Sequence, residues 1–134
     1  MSKKGETKIE FLGDVTDYEL VSLYQKSKAV IFAASEEDFG LVPVEAMAAG
    51  RPVIACAQGG VLESVVDGKT GVYFANPTVH DLGRAVNKFI SLNKKGVFDA
   101  KSIRSHTQRF SRKRFKTEIK EFVEIKFNLD TLIL

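Results

Sequence analysis

Two carboxylates with seven residues between them, Glu37 and Glu45, bracket the stretch of this chain best equipped for chemistry. Gly40, between them, permits a backbone turn that other residues resist. Pro43 is placed as the first residue of a helix, where its missing N–H costs nothing. Glu45 to Ala49 are mostly strong helix formers, and Gly50 followed by Pro52 ends the helix. The first turn of such a helix has N–H groups without partners, a ready seat for phosphate. A carboxylate accepts two hydrogen bonds from a vicinal diol. Carboxylates on either side of a phosphate seat therefore suit a ligand with phosphate in the middle and diols at both ends, the shape of a nucleotide diphosphate sugar. A plainer explanation stands beside this one. Glu45, expected at the third helical position, also serves helix stability through capping and the macrodipole. Glu36, Glu37 and Asp38 equally make a solvated loop. Spacing alone favours the plainer explanation.

The elements that must carry this loop alternate. Ile9–Leu12 reads as a strand closed by Gly13-Asp14. Thr16 and Glu19 have capping-box spacing, ahead of a helix with Leu20, Leu23 and Tyr24 on one face. Ala29–Ala33 is a continuous apolar run, as in a parallel strand buried on both faces. Pro52–Cys56 and Gly71–Phe74 are further strands. Between them, the Gly59-Gly60 turn, a short helix to Val66 and the Asp67-Gly68 turn make the connection. Thr78 caps a helix with the stripe Val79, Leu82, Val86 and Phe89. A last helix carries Phe115, Ile119, Phe122 and Lys126. This order predicts a Rossmann-like α/β fold, with a parallel sheet of four strands and flanking helices. Ligands bind beyond the carboxyl ends of such strands, which points to the loops 13–17, 35–42 and 57–61.

Composition excludes several classes. With 134 residues, 44% of them hydrophobic and 28% charged, the chain is a single globular domain, 1–134, and not a disordered one. Its polar start, residues 1–7, is expected to fray. A net charge of +3 is no nucleic-acid signature. The longest apolar run, Ala29–Ala34, is too short to span a bilayer, and no signal peptide opens the chain. One cysteine, Cys56, fits a reducing cytoplasm and is expected as a small buried residue. Two distant histidines argue against zinc. His80 is expected on the surface, and His106 has no partner at catalytic spacing. Gly68-Lys69-Thr70 is no P-loop, because Glu63 occupies the position of its first glycine. Residues 101–120 hold eight Lys and Arg against one acid, Glu118. A solvated helix face explains them, with an anionic membrane surface as the alternative. The final Leu-Ile-Leu either packs back on the domain or meets a partner.

Residues 8 to 125 resemble the retaining GT-B glycosyltransferases of the family-4 type. The family's Glu-x7-Glu pattern is met by Glu37 and Glu45, inside a nearly complete block from Glu37 to Ala55. A second block runs from Gly59 to Gly71. Phe11-Leu12-Gly13, Ser27-Lys28-Ala29, and Phe110-Ser111 with Arg114-Phe115 match in the right order. The Glu-Asp-Phe-Gly form with Pro-Val-Glu looks most like the mannosyltransferase branch. The resemblance implies that Glu37, the catalytic-site residue, holds hydroxyls of the donor hexose. Phe39, Gly40, Leu41 and Val42 would offer backbone N–H groups to sugar and diphosphate. Glu45 would grip the ribose diol, and Gly13 to Val15 would lie against the base. It implies no cofactor and no bound metal, and no Asp-x-Asp occurs here.

The resemblance also implies parts that the matched region lacks: an Arg and a Lys on the diphosphate, an N-terminal acceptor domain, and two central strands between Ile9–Leu12 and Ala29–Ala33. Losing leaving-group charge stabilisation removes several kcal/mol of transition-state binding. The isolated chain is thus expected to be nearly inactive, either to rearrange or to leave an apolar gap, and to pair with the missing part or a partner chain. Its expected ligands are GDP-mannose or a UDP-hexose, and a sugar or lipid-linked acceptor. The competing functions are a donor-binding part of a cytoplasmic hexosyltransferase, a nucleotide-sugar-binding module without turnover, and a membrane-associated protein built on the basic segment.

Overall fold

A computed structural model describes residues 8–132, with side chains through Asn128. The start predicted to fray and the end of the final Leu-Ile-Leu lie outside the described residues. The elements are α1 (Asp17–Lys26), β1 (Val30–Phe32), α2 (Leu41–Ala48), β2 (Val53–Cys56), α3 (Val61–Ser64), β3 (Gly71–Phe74), α4 (Val79–Lys94), α5 (Ala100–His106), a 3-10 turn (Thr107–Phe110) and α6 (Arg112–Leu132). The three strands form one parallel sheet in the order β1-β2-β3. Val30 pairs with Val53 and Val53 with Gly71.

Strand alternation divides the core in two. Val53 and Ala55 join Tyr24, Ala46, Met47, Val61, Val65 and Ile103 on the face covered by α1, α2 and α5. Ile54, Cys56, Val72 and Phe74 face the other way, against Ala85 and Phe89 of α4. All four β2 side chains are buried, so this central strand has no polar face. Cys56 is a free, buried thiol. The capping box at Thr16 and Glu19 forms in both directions, and Thr78 accepts from the Asp81 N–H.

The first predicted strand is absent. Ile9–Leu12 takes no regular structure, and Phe11 is 95% exposed. Among the described residues no strand lies beside it, so its backbone has no ladder to join. β1 is accordingly an edge strand, with Ile31 half-exposed. The C-terminal region differs as well. Asp99 accepts from the Ser102 N–H and starts α5, a helix that the sequence reading passed over. The stripe of the last helix, α6, is open to solvent at Phe115, Ile119 and Phe122. α6 meets the rest of the domain chiefly through the 3-10 turn. Ile103→Ala should therefore destabilise the protein by about 2–5 kcal/mol in urea titration. Ile119→Ala, at a half-exposed site, should change it by less than about 1 kcal/mol.

Candidate functional site

The loop after β1 is fixed by a turn that comes later in the sequence. Gly60 donates its N–H to the carbonyl of Glu37 at 3.0 Å. A Cβ on Gly59 would collide with that same carbonyl, and one on Gly60 with the Asp38 carbonyl and the Phe39 Cα. The paired glycines allow two backbones to lie in direct contact. Gly40 then turns the chain at φ 76°, in the left-handed region, and becomes the N-cap of α2.

Glycine brings no capping side chain, and among the described residues no side-chain hydrogen bond caps this end. Leu41, not Pro43, is the first helical residue, so Pro43 stands third, still inside the turn where N–H groups go unpaired. The N–H groups of Leu41 and Val42 therefore have no partner within the helix. This register also moves Glu45 to the fifth helical position, and the first turn holds no acid. Capping and the macrodipole act within that first turn, so they do not account for Glu45. Its carboxylate instead accepts a hydrogen bond from the Tyr24 hydroxyl, 3.1 Å from Oε2. Burial and then the Glu45 carboxylate push the Tyr24 phenol up to about 12.

Glu45 and Tyr24 line a cleft of about 430 Å3 between α1 and α2, with Asp17, Leu20, Val21, Gln25, Ala48 and Ala49. Gly13 and Val15 lie just ahead of α1. Glu37 is exposed in the loop, with its Cγ close to Gly40. Phe39 stacks edge-on against Phe110 of the 3-10 turn, with centroids 5.8 Å apart. The structure places Arg109 and Arg112, together with the acid Glu118, around a cleft of about 490 Å3 that Phe39, Phe110 and Phe115 also line. Only the packing of the 3-10 turn on the loop could reveal them, because they are remote in sequence. The 3-10 turn is held by His106, whose Nε2–H donates to the Ser64 carbonyl at 2.7 Å. A third cleft, about 350 Å3, lies beside β3 and α4 and is lined by Asp81, Arg84 and Lys88. There Asp81 accepts from Asn76 and Lys88 pairs with Asp67.

Comparison with known proteins decides the family. The sequence profile described as glycosyl transferases group 1 matches residues 2–105. The chain belongs to this family. It is 45% identical over 86 residues to the alpha-1,3/1,6-mannosyltransferase ALG2 of Dictyostelium discoideum, covering 64% of this chain and 20% of that protein. It is 31% identical over 124 residues to a D-inositol 3-phosphate glycosyltransferase of Corynebacterium urealyticum, covering 92% of the chain and 28% of the relative. The sucrose-phosphate synthase of Thermosynechococcus elongatus superposes with a TM-score of 0.77 at 26% identity, over 90% of this chain and 30% of that one. HepE of Anabaena, solved with UDP-glucose, superposes at 0.65 and 30% identity, over 76% and 29%. This group 1 glycosyltransferase chain thus spans a fifth to a third of these relatives. Its parallel α/β fold is that of its GT-B neighbours. Among the described residues no helix is long and apolar enough to cross a membrane.

Two measurements check this geometry. Gly60→Ala forces a side chain into the Asp38–Phe39 backbone, with destabilisation of about 1–3 kcal/mol and shifted amide resonances from Glu37 to Leu41. Gly83→Ala, in open space on α4, should instead stabilise by up to about 1 kcal/mol. The Tyr24 phenol titrates near 10 when unfolded and about 12 when folded. Its contribution to stability is complete below pH 10 and disappears as pH rises to 12. Tyr24→Phe should flatten the stability profile across that window.

Proposed function

We propose that this chain binds the donor of a hexosyltransferase, a nucleotide diphosphate sugar, at the start of α2. The observation that carries this reading is the uncapped α2 terminus between Glu37 and Glu45, fixed by the backbone contact with Gly59-Gly60. The N–H groups of Phe39, Gly40, Leu41 and Val42 receive the diphosphate and sugar. Glu37 holds the hexose hydroxyls at the reacting centre. Glu45 takes the ribose diol, and the Gly13–Val15 segment lies along the base. Transfer proceeds with retention, and the hexose is mannose. The likeness to ALG2 supports mannose, and the UDP-glucose bound to HepE supports a nucleotide sugar as the ligand class.

Each backbone N–H directed at a phosphate oxygen makes a charge-assisted bond, stronger than a neutral one. That charge accumulates on the departing diphosphate as the glycosidic bond breaks, so the same donors favour the transition state. Arg109 and Arg112 add positive charge on the Phe39 side of the loop. Transfer itself needs an acceptor site and further cations for the diphosphate, supplied by an N-terminal domain or by a partner chain. The acceptor is a sugar or a lipid-linked sugar, reached from the cytoplasmic side. The chain alone binds donor with little or no turnover.

Calorimetric titration with GDP-mannose and UDP-glucose tests this. One donor should bind, and Glu45→Ala should weaken it tenfold or more, about 1.4 kcal/mol. Equal affinity in the wild type and Glu45→Ala would remove Glu45 from the site.

A further inference from the structure

We infer that Tyr24 is the positioning residue for Glu45, its hydroxyl holding one carboxylate oxygen so that the other is presented to the ribose diol. The inference rests on the donor-site reading above and adds to it a residue from a different helix.

Tyr24 has what that role requires. Its ring is 8% exposed and sits in the core with Ala46 and Met47 of α2. Packing therefore locks both side-chain torsions, and the hydroxyl has one place to be. That place is 3.1 Å from Oε2 of Glu45, across the α1–α2 junction. Glu45 itself is exposed. A glutamate on a helix surface has three rotatable bonds and many orientations, and gripping a diol freezes them at an entropic penalty. A hydroxyl fixed by the core supplies that restriction in advance. It uses one of about four lone-pair positions on the carboxylate. Oε1 has no hydrogen-bond partner among the described residues. The remaining ionisable neighbour in the cleft, Asp17, is acidic and cannot donate when ionised. The sequence gives no sign of this pair, because Tyr24 lies on the apolar face of α1 and its position suggests packing alone.

A purely structural tyrosine would make the same hydrogen bond, joining α1 to α2. Discrimination between ribose and deoxyribose separates the two roles. The wild type should bind UDP more tightly than 2′-deoxy-UDP, or GDP more tightly than 2′-deoxy-GDP. Tyr24→Phe keeps the ring and should cut that preference at least threefold, with affinity for the deoxy compound within twofold of wild type. Glu45→Gln should reduce the same preference. A preference unchanged in Tyr24→Phe, or both ligands weakened equally, would overturn the inference and leave the donor site intact. A wild type without preference, or without affinity for either pair, would overturn the Glu45 reading and this inference with it. A ligand-free check uses NMR titration of the Tyr24 ring. Its pKa should fall on Glu45→Gln, because the carboxylate helps to raise it. An unmoved pKa would show that the contact is absent and overturn the inference independently.

Discussion

No side chain fits between the Gly59-Gly60 turn and the backbone of Glu37 to Phe39. The two segments follow neighbouring parallel strands, β1 and β2, so the sheet delivers them to the same edge. Their contact is backbone against backbone, sealed by the Gly60 N–H on the Glu37 carbonyl. With the loop fixed there, Gly40 can complete its left-handed turn and hand the chain to α2. A longer or looser loop would let a polar side chain fold back and cap the helix. Here the cap is glycine, and among the described residues no side chain caps the helix.

Charge then follows from geometry. The helix terminus is positive in effect; Glu37 precedes it, with its Cγ near Gly40, and Glu45 lies past the first turn. Glu45 is reached by Tyr24, so its orientation is set by the same core that holds β2. Phe39 on the other side rests on Phe110, and His106 ties that turn to α3 through the Ser64 carbonyl. The loop is thus braced by α1, α3 and the 3-10 turn, with Glu37, Phe39, Leu41, Val42 and Glu45 exposed and Gly40 buried.

Much of this was legible in the residues. The capping box, three parallel strands, the stop at Gly50-Arg51-Pro52 and the Leu82, Val86 and Phe89 part of the α4 stripe follow from local chemistry, and the structure has them; Val79, expected on that stripe, is exposed in the first turn of α4, and Ala85 is buried instead. Ile9–Leu12 has a strand's composition, but a strand needs a neighbour to receive its hydrogen bonds, and composition does not supply one. The α6 stripe has helical spacing, yet spacing says only that a face exists, not that something covers it. The short α5 was missed because Asp99 was not taken as a cap, and with it went Ile103, among the most buried side chains. At the site, the Glu37 and Glu45 pair was visible at once. The helix register was not, and a two-residue shift there decides whether Glu45 serves the helix or a ligand. The role of the paired glycines also lay out of reach, since a close approach between segments more than twenty residues apart leaves no local signature.

Amide chemical shifts during titration with GDP-mannose and UDP-glucose test the central claim most directly. The account predicts that the amides of Phe39, Gly40, Leu41 and Val42 move together, with one donor, along a single saturating curve. It is contradicted if those amides stay still while resonances of Tyr73, Ala75, Asp81 and Arg84 move, which would place the ligand in the cleft beside β3 and α4.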